Sequence, residues 1–347
     1  MTKSVRYLLA LIAGAALLLG GCSAIDEDRS DCGNDFGINY ELRLVTNMST
    51  EIRTELGMDT QIAVAGALKT FLQDIFTDFA HDVDLSFYDV RDGFLRLHHE
   101  KHTMDASETS YSLFLPVRAY MHTAVANLSY NPVVDLTGDE TCYEARLQQV
   151  DQDTLDIHTT GLFTARLPMD VLEGVDQEFN VHLYMANCAS ALVLDPRNVG
   201  IEDMKAFSTG YATSFAVCDS IFRFPDAKDP VIRARRINVP GDPNYCFCSV
   251  NFPSREEPRT RTVIDTTDPF ITDLQDESLW EYHVYVTLSD GSITKSVLYL
   301  RSPLRAGQFK VITGRIGDQG EVITDDLDVG VSVQLDWNEG INHEIPL

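Results

Sequence analysis

Two polar stretches and seven cysteines hold the residue types that could do chemistry. His98-His99-Glu100-Lys101-His102 is the densest histidine cluster. In an extended segment His98, Glu100 and His102 would share one face, a geometry that could hold a metal. The stretch is polar and sits beside a turn, so it reads as solvated loop histidines. Asp151-Gln152-Asp153 with Asp156 offers the oxygens that calcium prefers, but the glycine and distal glutamate of an EF-hand loop are missing. Cys246-Phe247-Cys248 would need a second closely spaced Cys or His pair to make a zinc site, and none is near. No Gly-x-Ser-x-Gly elbow, phosphate-binding glycine loop or His-Glu-x-x-His occurs. With 53 acidic residues, no two carboxylates can be singled out for glycoside hydrolysis, because their role depends on separation in space. The expectation is a non-enzymatic protein with no metal and no cofactor.

One cysteine has a different chemistry. Lys3 and Arg6 precede an apolar run from Leu8 to Leu19, which ends in Gly20, Gly21 and Cys22. A positive n-region, a short h-region and small residues at the cut describe a secretory signal. The run falls short of the ~20 apolar residues a spanning helix needs. Leu19-Gly20-Gly21-Cys22 resembles a bacterial lipobox, although Gly20 stands where Ala or Ser is more usual. The resemblance implies cleavage between Gly21 and Cys22 and acylation of Cys22, which becomes the new N-terminus.

The bulk properties bear on what the acyl chains must do. The formal charge is −26. Such a surface repels nucleic acid and anionic lipid, so neither is expected as a direct partner. Membrane attachment then falls to the acyl chains, each buried CH₂ contributing ~0.8 kcal/mol. Ser23 to Asp31 is short, polar and acidic, and reads as a tether over residues 22–35 that holds a folded body clear of the bilayer. It also resembles the acidic stretch behind the lipid cysteine in surface-exported lipoproteins of Bacteroidetes-type bacteria.

Assigning Cys22 to lipid leaves Cys32, Cys142, Cys188, Cys218, Cys246 and Cys248. In an oxidising compartment an even set suits disulfides, with 15 possible connectivities. Cys32 and Cys142 fall in the first half and the other four in the second, so each half could close its own pairs. Buried free thiols are the alternative.

The elements that must position these residues are mostly strands. Leu68, Phe71, Leu72, Ile75, Phe76 and Phe79 recur at helical spacing and predict one helix over residues 61–79, with Asp59 or Thr60 as N-cap. Alternating runs predict strands at 38–48, 83–90, 94–97, 111–115, 123–130, 155–158 and 161–167. In the second half they fall at 178–185, 191–194, 211–217, 220–224, 231–239 and 245–252. A hairpin follows, 282–288 with 293–300 around Ser289-Asp290-Gly291-Ser292. Strands at 308–316 and 329–337 come last. Residues 255–276 read as a long loop. Pro168 and Gly174 mark a connection, so the expected domains are 36–174 and 175–347. Leu115-Pro116-Val117-Arg118-Ala119-Tyr120 is echoed by Pro303-Leu304-Arg305-Ala306-Gly307-Gln308-Phe309, which suggests duplication. Two β-sandwiches in tandem, with the helix packed on the first, account for this pattern.

The layout resembles a known family. A lipobox is followed by Asp31-Cys32 and a strand, one helix interrupts a strand-rich first half, and Asp336-Trp337-Asn338 follows an alternating strand. In these features the chain is similar to the FimB-type fimbrillin-anchor lipoproteins of Bacteroidales bacteria. The resemblance implies two transthyretin-like β-sandwich domains, a surface-exposed place on the outer membrane through Cys22, and a fimbrial stalk subunit (a fimbrillin) as partner. It implies that the protein anchors the fibre and limits its length. The terminal run would pair with a neighbouring subunit, Val329, Val331, Val333, Leu335 and Trp337 alternating with polar or small residues as strand addition requires. A surface glycan-binding lipoprotein is the alternative, resting on Trp280 and Trp337.

Overall fold

The computed structural model describes residues 35–45, 62–76, 80–104, 110–226, 229–258, 278–326 and 328–336. The first half contains β1 (Asp35–Val45), α1 (Ile62–Ile75), β2 (Asp82–Asp89), β3 (Arg96–Thr103), β4 (Ser110–Pro116) and β5 (Ala119–Ala126). It continues with β6 (Val134–Thr137), β7 (Arg146–Gln149), β8 (Thr154–Asp156), β9 (Phe163–Asp170) and β10 (Gln177–Met185). The second half holds β11 (Cys188–Asp195), β12 (Ile201–Thr209), β13 (Ser214–Ala216), β14 (Ile221–Arg223), β15 (Val231–Arg233) and β16 (Arg235–Ile237). It ends with β17 (Tyr245–Asn251), β18 (Trp280–Leu288), β19 (Ile293–Leu300), β20 (Phe309–Ile316), β21 (Val322–Ile323) and β22 (Val329–Asp336). The expected class, mainly β with one helix and sandwiches in tandem, is what the described residues form.

Four sheets organise these strands. The first is β3-β2-β5-β9-β10-β1-β4. Its strand β1 buries Ile38, Tyr40 and Leu42 in alternation, which is why that segment is extended. The helix buries Val64, Leu68, Leu72 and Ile75 in the same apolar cluster as Leu42 and Leu85, so it is held by its stripe. Its expected N-caps, Asp59 and Thr60, and Phe79 lie outside the described residues.

The second half packs two sheets face to face. One runs β16-β17-β11-β20-β21 and the other β22-β19-β18-β12-β15-β8. Leu192, Phe247 and Ile312 of the first meet Tyr282, Val284 and Leu298 of the second in the core. Polar groups inside are paired: the Tyr282 hydroxyl is 2.8 Å from Ser190 Oγ, and Ser208 Oγ is 2.8 Å from Ser249 Oγ. Each half also contains one parallel pair between an early and a late strand. In the first it is β1 with β10, and in the second β11 with β20. The echoed Pro-Arg-Ala segments precede β5 and β20, which have different neighbours in their sheets.

Several expectations change. Gly174 lies between β9 and β10, and both belong to the seven-stranded sheet; sheet membership changes between Met185 and Cys188. Strand β9 runs through Pro168 because β10 pairs with β9 only at Phe163 and Thr164, which leaves that edge open to a residue without an N–H. The run 231–239 is two strands, since the chain passes from one sheet to the other at Ala234. Exchange also links the halves: β8 joins β15, and β13 joins β7 in the small sheet β14-β13-β7-β6.

Candidate functional site

Cys22, the expected lipid site, lies outside the described residues with Gly21, Cys32, Trp337 and residues 259–277. No helix among the described residues is long and apolar enough to cross a membrane. What the structure does place is the terminal strand. β22 lies antiparallel to β19, from Val329 opposite Leu300 to Asp336 opposite Ile293. It ends the six-stranded sheet, and among the described residues no strand pairs with its outer edge. Val329 is buried, Val331 packs against the core, and Val333 is 39% exposed. Burial falls along the strand, from buried Val329 through half-buried Gly330, Val331 and Ser332 to exposed Val333, and Leu335 lies on the same strand. The approach to this strand is an acidic turn. Asp326 is 3.7 Å from Lys310 and accepts the backbone N–H groups of Asp328 and Val329 on its side chain and carbonyl, respectively.

The histidine cluster is a strand, which corrects the loop reading. His98, Glu100 and His102 share one face of β3, an edge strand of the first sheet. Glu100 Oε1 is 2.6 Å from His98 Nε2, and Oε2 is 2.7 Å from His102 Nε2. Partial burial pushes the Glu100 carboxyl up, but hydrogen bonds from both imidazoles outweigh it and lower its pKa. The other face carries His99 and Lys101, at 2.9 and 3.2 Å from the buried carboxylate of Asp84. Both faces of an edge strand are thus polar, which blunts it against pairing. No group of His, Cys, Asp and Glu among the described residues has the geometry to hold a metal.

The cysteines pair differently from the expectation that each half closes its own. Cys142 and Cys218 form a disulfide across the two halves. They meet because β7 and β13 are neighbours, so the loops beside them converge. Cys188, Cys246 and Cys248 are free and buried. Burial pushes all three thiols up, Cys246 to about 12, so they stay protonated and inert. Trp280 is buried, and its indole N–H donates to the Ser302 carbonyl at 3.0 Å. It is therefore unavailable as a glycan platform.

No family model matches the chain, and no curated protein matches it in sequence. Solved structures do match. A fimbrial assembly protein from Parabacteroides distasonis is 9% identical with a TM-score of 0.38, covering 87% of this chain and 99% of that one. The fimbrial anchor protein Mfa2 from Porphyromonas gingivalis is 11% identical with a TM-score of 0.45, covering 87% and 98%. An adhesin candidate from Bacteroides ovatus is 10% identical with a TM-score of 0.50, covering 88% of this chain and 97% of that one. The chain shares its fold with the Bacteroides ovatus protein over most of both lengths.

Proposed function

We propose that the protein is an outer-membrane lipoprotein, acylated at Cys22, that anchors a fimbria to the cell surface and limits its length. The observation that carries the proposal is β22, a terminal strand of alternating pattern whose outer edge has no strand partner among the described residues. An open edge presents a row of N–H and C=O groups to which a stalk subunit can add a strand. The lipobox at residues 19–22 supplies the other grip, since the net charge of −26 gives no electrostatic hold on an anionic bilayer. The shared fold with an adhesin candidate agrees with a place at the surface. The mechanism is mechanical: acyl chains hold the bilayer and strand pairing holds the fibre. Replacing Cys22 with Ala should release intact fimbriae into the medium. Fimbriae that stay on the cell in that variant would refute the anchoring role.

A further inference from the structure

At Ala234 the chain leaves the six-stranded sheet and enters the five-stranded one, and a groove of about 660 Å³ opens between them. That volume lies in the range of small-molecule sites. Its floor is apolar, formed by Met204, Phe207 and Phe247. Its rim is cationic: Lys205, Arg233, Arg235 and Arg236 line it, and Asp156 is the one acidic residue among the lining groups. In a chain with 53 acidic and 27 basic residues, an average neighbourhood holds twice as many carboxylates as cations, so this ratio is inverted.

The arginines are also unspent. Arg96, Arg118, Arg255 and Arg315 each form an ion pair with an aspartate, and Arg43 and Arg305 each pair with a glutamate. None of Arg233, Arg235 and Arg236 does so among the described residues, and Lys205 reaches only Asp203, at 3.9 Å. Two of them are fixed in place all the same. The Arg235 guanidinium lies 5.6 Å from the Phe71 ring centre, and that of Arg236 lies 4.5 Å from Tyr245. Stacking holds the plane of a guanidinium while leaving its N–H edge open to a carboxylate, sulfate or phosphate.

We propose that this groove binds an anionic amphiphile, with the apolar body on the Met204, Phe207 and Phe247 floor and the anionic group against the arginine forks. The net charge of −26 repels anions at long range, so a site for one must concentrate cations locally, as here. Strands β19 and β18 separate β22 from the groove's β12 in the six-stranded sheet, and the site stands whether or not the anchoring role does.

The test uses the full chain with anilinonaphthalene sulfonate as a fluorescent probe. One probe should bind per chain. Phenylbutyrate should displace it at least about tenfold more effectively than the uncharged phenylbutanol, because only the acid engages the forks. Arg233→Gln with Arg236→Gln should weaken the probe about tenfold or more, while Arg305→Gln with Arg315→Gln, the same loss of two positive charges at residues that do not line the groove, should not. Raising the salt concentration should weaken binding to the unaltered chain, a reading that needs no variant to fold. Equal competition by acid and alcohol, salt-independent binding, or equal effects of the groove and distant substitutions would each overturn the proposal.

Discussion

Asn187 Nδ2 lies 2.7 Å from His158 Nδ1, and both residues are completely buried where the two halves meet. Asn187 sits between the last strand of the seven-stranded sheet and the first strand of the second half. Its Oδ1 accepts the Leu162 N–H at 2.6 Å, its Nδ2 also donates to the Asn251 carbonyl at 3.3 Å, and its own carbonyl accepts the Gly307 N–H at 2.7 Å. One side chain therefore serves partners on both sides of the joint. Asn187→Ala strands a buried N–H and leaves His158 with a lost partner, each costing about 1–3 kcal/mol. Urea unfolding of that variant should show a loss of roughly 2–5 kcal/mol in one cooperative transition. A loss near zero would mean that the joint does not depend on this residue.

His158 and His122 together predict an acid-sensitive fold. Burial pushes both imidazoles down to about 3, against 6.5 for a free histidine; for His122, a hydrogen bond to the Ser86 carbonyl opposes the shift. The Tyr40 hydroxyl donates to His122 Nε2, so this ring too is held neutral. Below 6.5 the unfolded chain binds protons that the folded chain refuses. The stability these residues contribute is present above pH 6.5 and is lost as pH falls toward 3, at up to about 1.4 kcal/mol per pH unit for each. The informative window is pH 6.5 to 4.5, above the range where most carboxylates titrate. His122→Gln should roughly halve the slope of unfolding free energy against pH there. An unchanged slope would assign the acid response elsewhere.

The Cys142–Cys218 disulfide closes a loop over a sequence separation of 76. It sits in a small cluster with Tyr88 and Ala145, beside the Val217 N–H to Ala145 carbonyl bond at 3.0 Å. Loss of a loop closure of this length removes about 2–4 kcal/mol of stability. Thermal unfolding of the native chain should shift down on adding a thiol reductant. Cys142→Ser with Cys218→Ser should show the lower midpoint at once and no further response. A full response in the double variant would point to chemistry outside this pair.

How much of this could be read from the sequence depends on how local each signal is. The helix is legible because Leu68, Leu72, Ile75 and Phe76 are all buried at the spacing that predicts it. The hairpin over Ser289–Ser292 is legible because Gly291, with φ +86, supplies the positive dihedral its turn needs. Strand β12 is hidden: a bulge between Ile201 and Asp203 shifts its alternation, and only then do Met204, Ala206 and Ser208 face the core. Strand β3 is hidden because neither face is apolar. The pairing of Cys142 with Cys218 depends on the distant meeting of β7 and β13, which no local pattern encodes. At the terminal strand, the alternation of Val329, Val331 and Val333 is visible in the sequence, but which edge stays open follows only from the sheet order.

That open edge gives the sharpest test of how the protein would hold a fibre. Val333 is 39% exposed on β22, whereas Val331 packs against the core. Val333→Lys should therefore change stability by no more than about 0.5 kcal/mol, as exposed substitutions do. A lysine on an edge strand nevertheless discourages addition of another strand. Co-purification of a fimbrial subunit with the lipidated protein should then fall sharply for Val333→Lys, while the protein itself stays in the membrane fraction. Val333→Thr, which keeps the β-branched shape without the charge, should retain the partner. Full retention of the partner by the lysine variant would remove β22 from the interface. It would leave lipid anchoring standing, since that rests on Cys22 and is read by release of fimbriae rather than by loss of the partner.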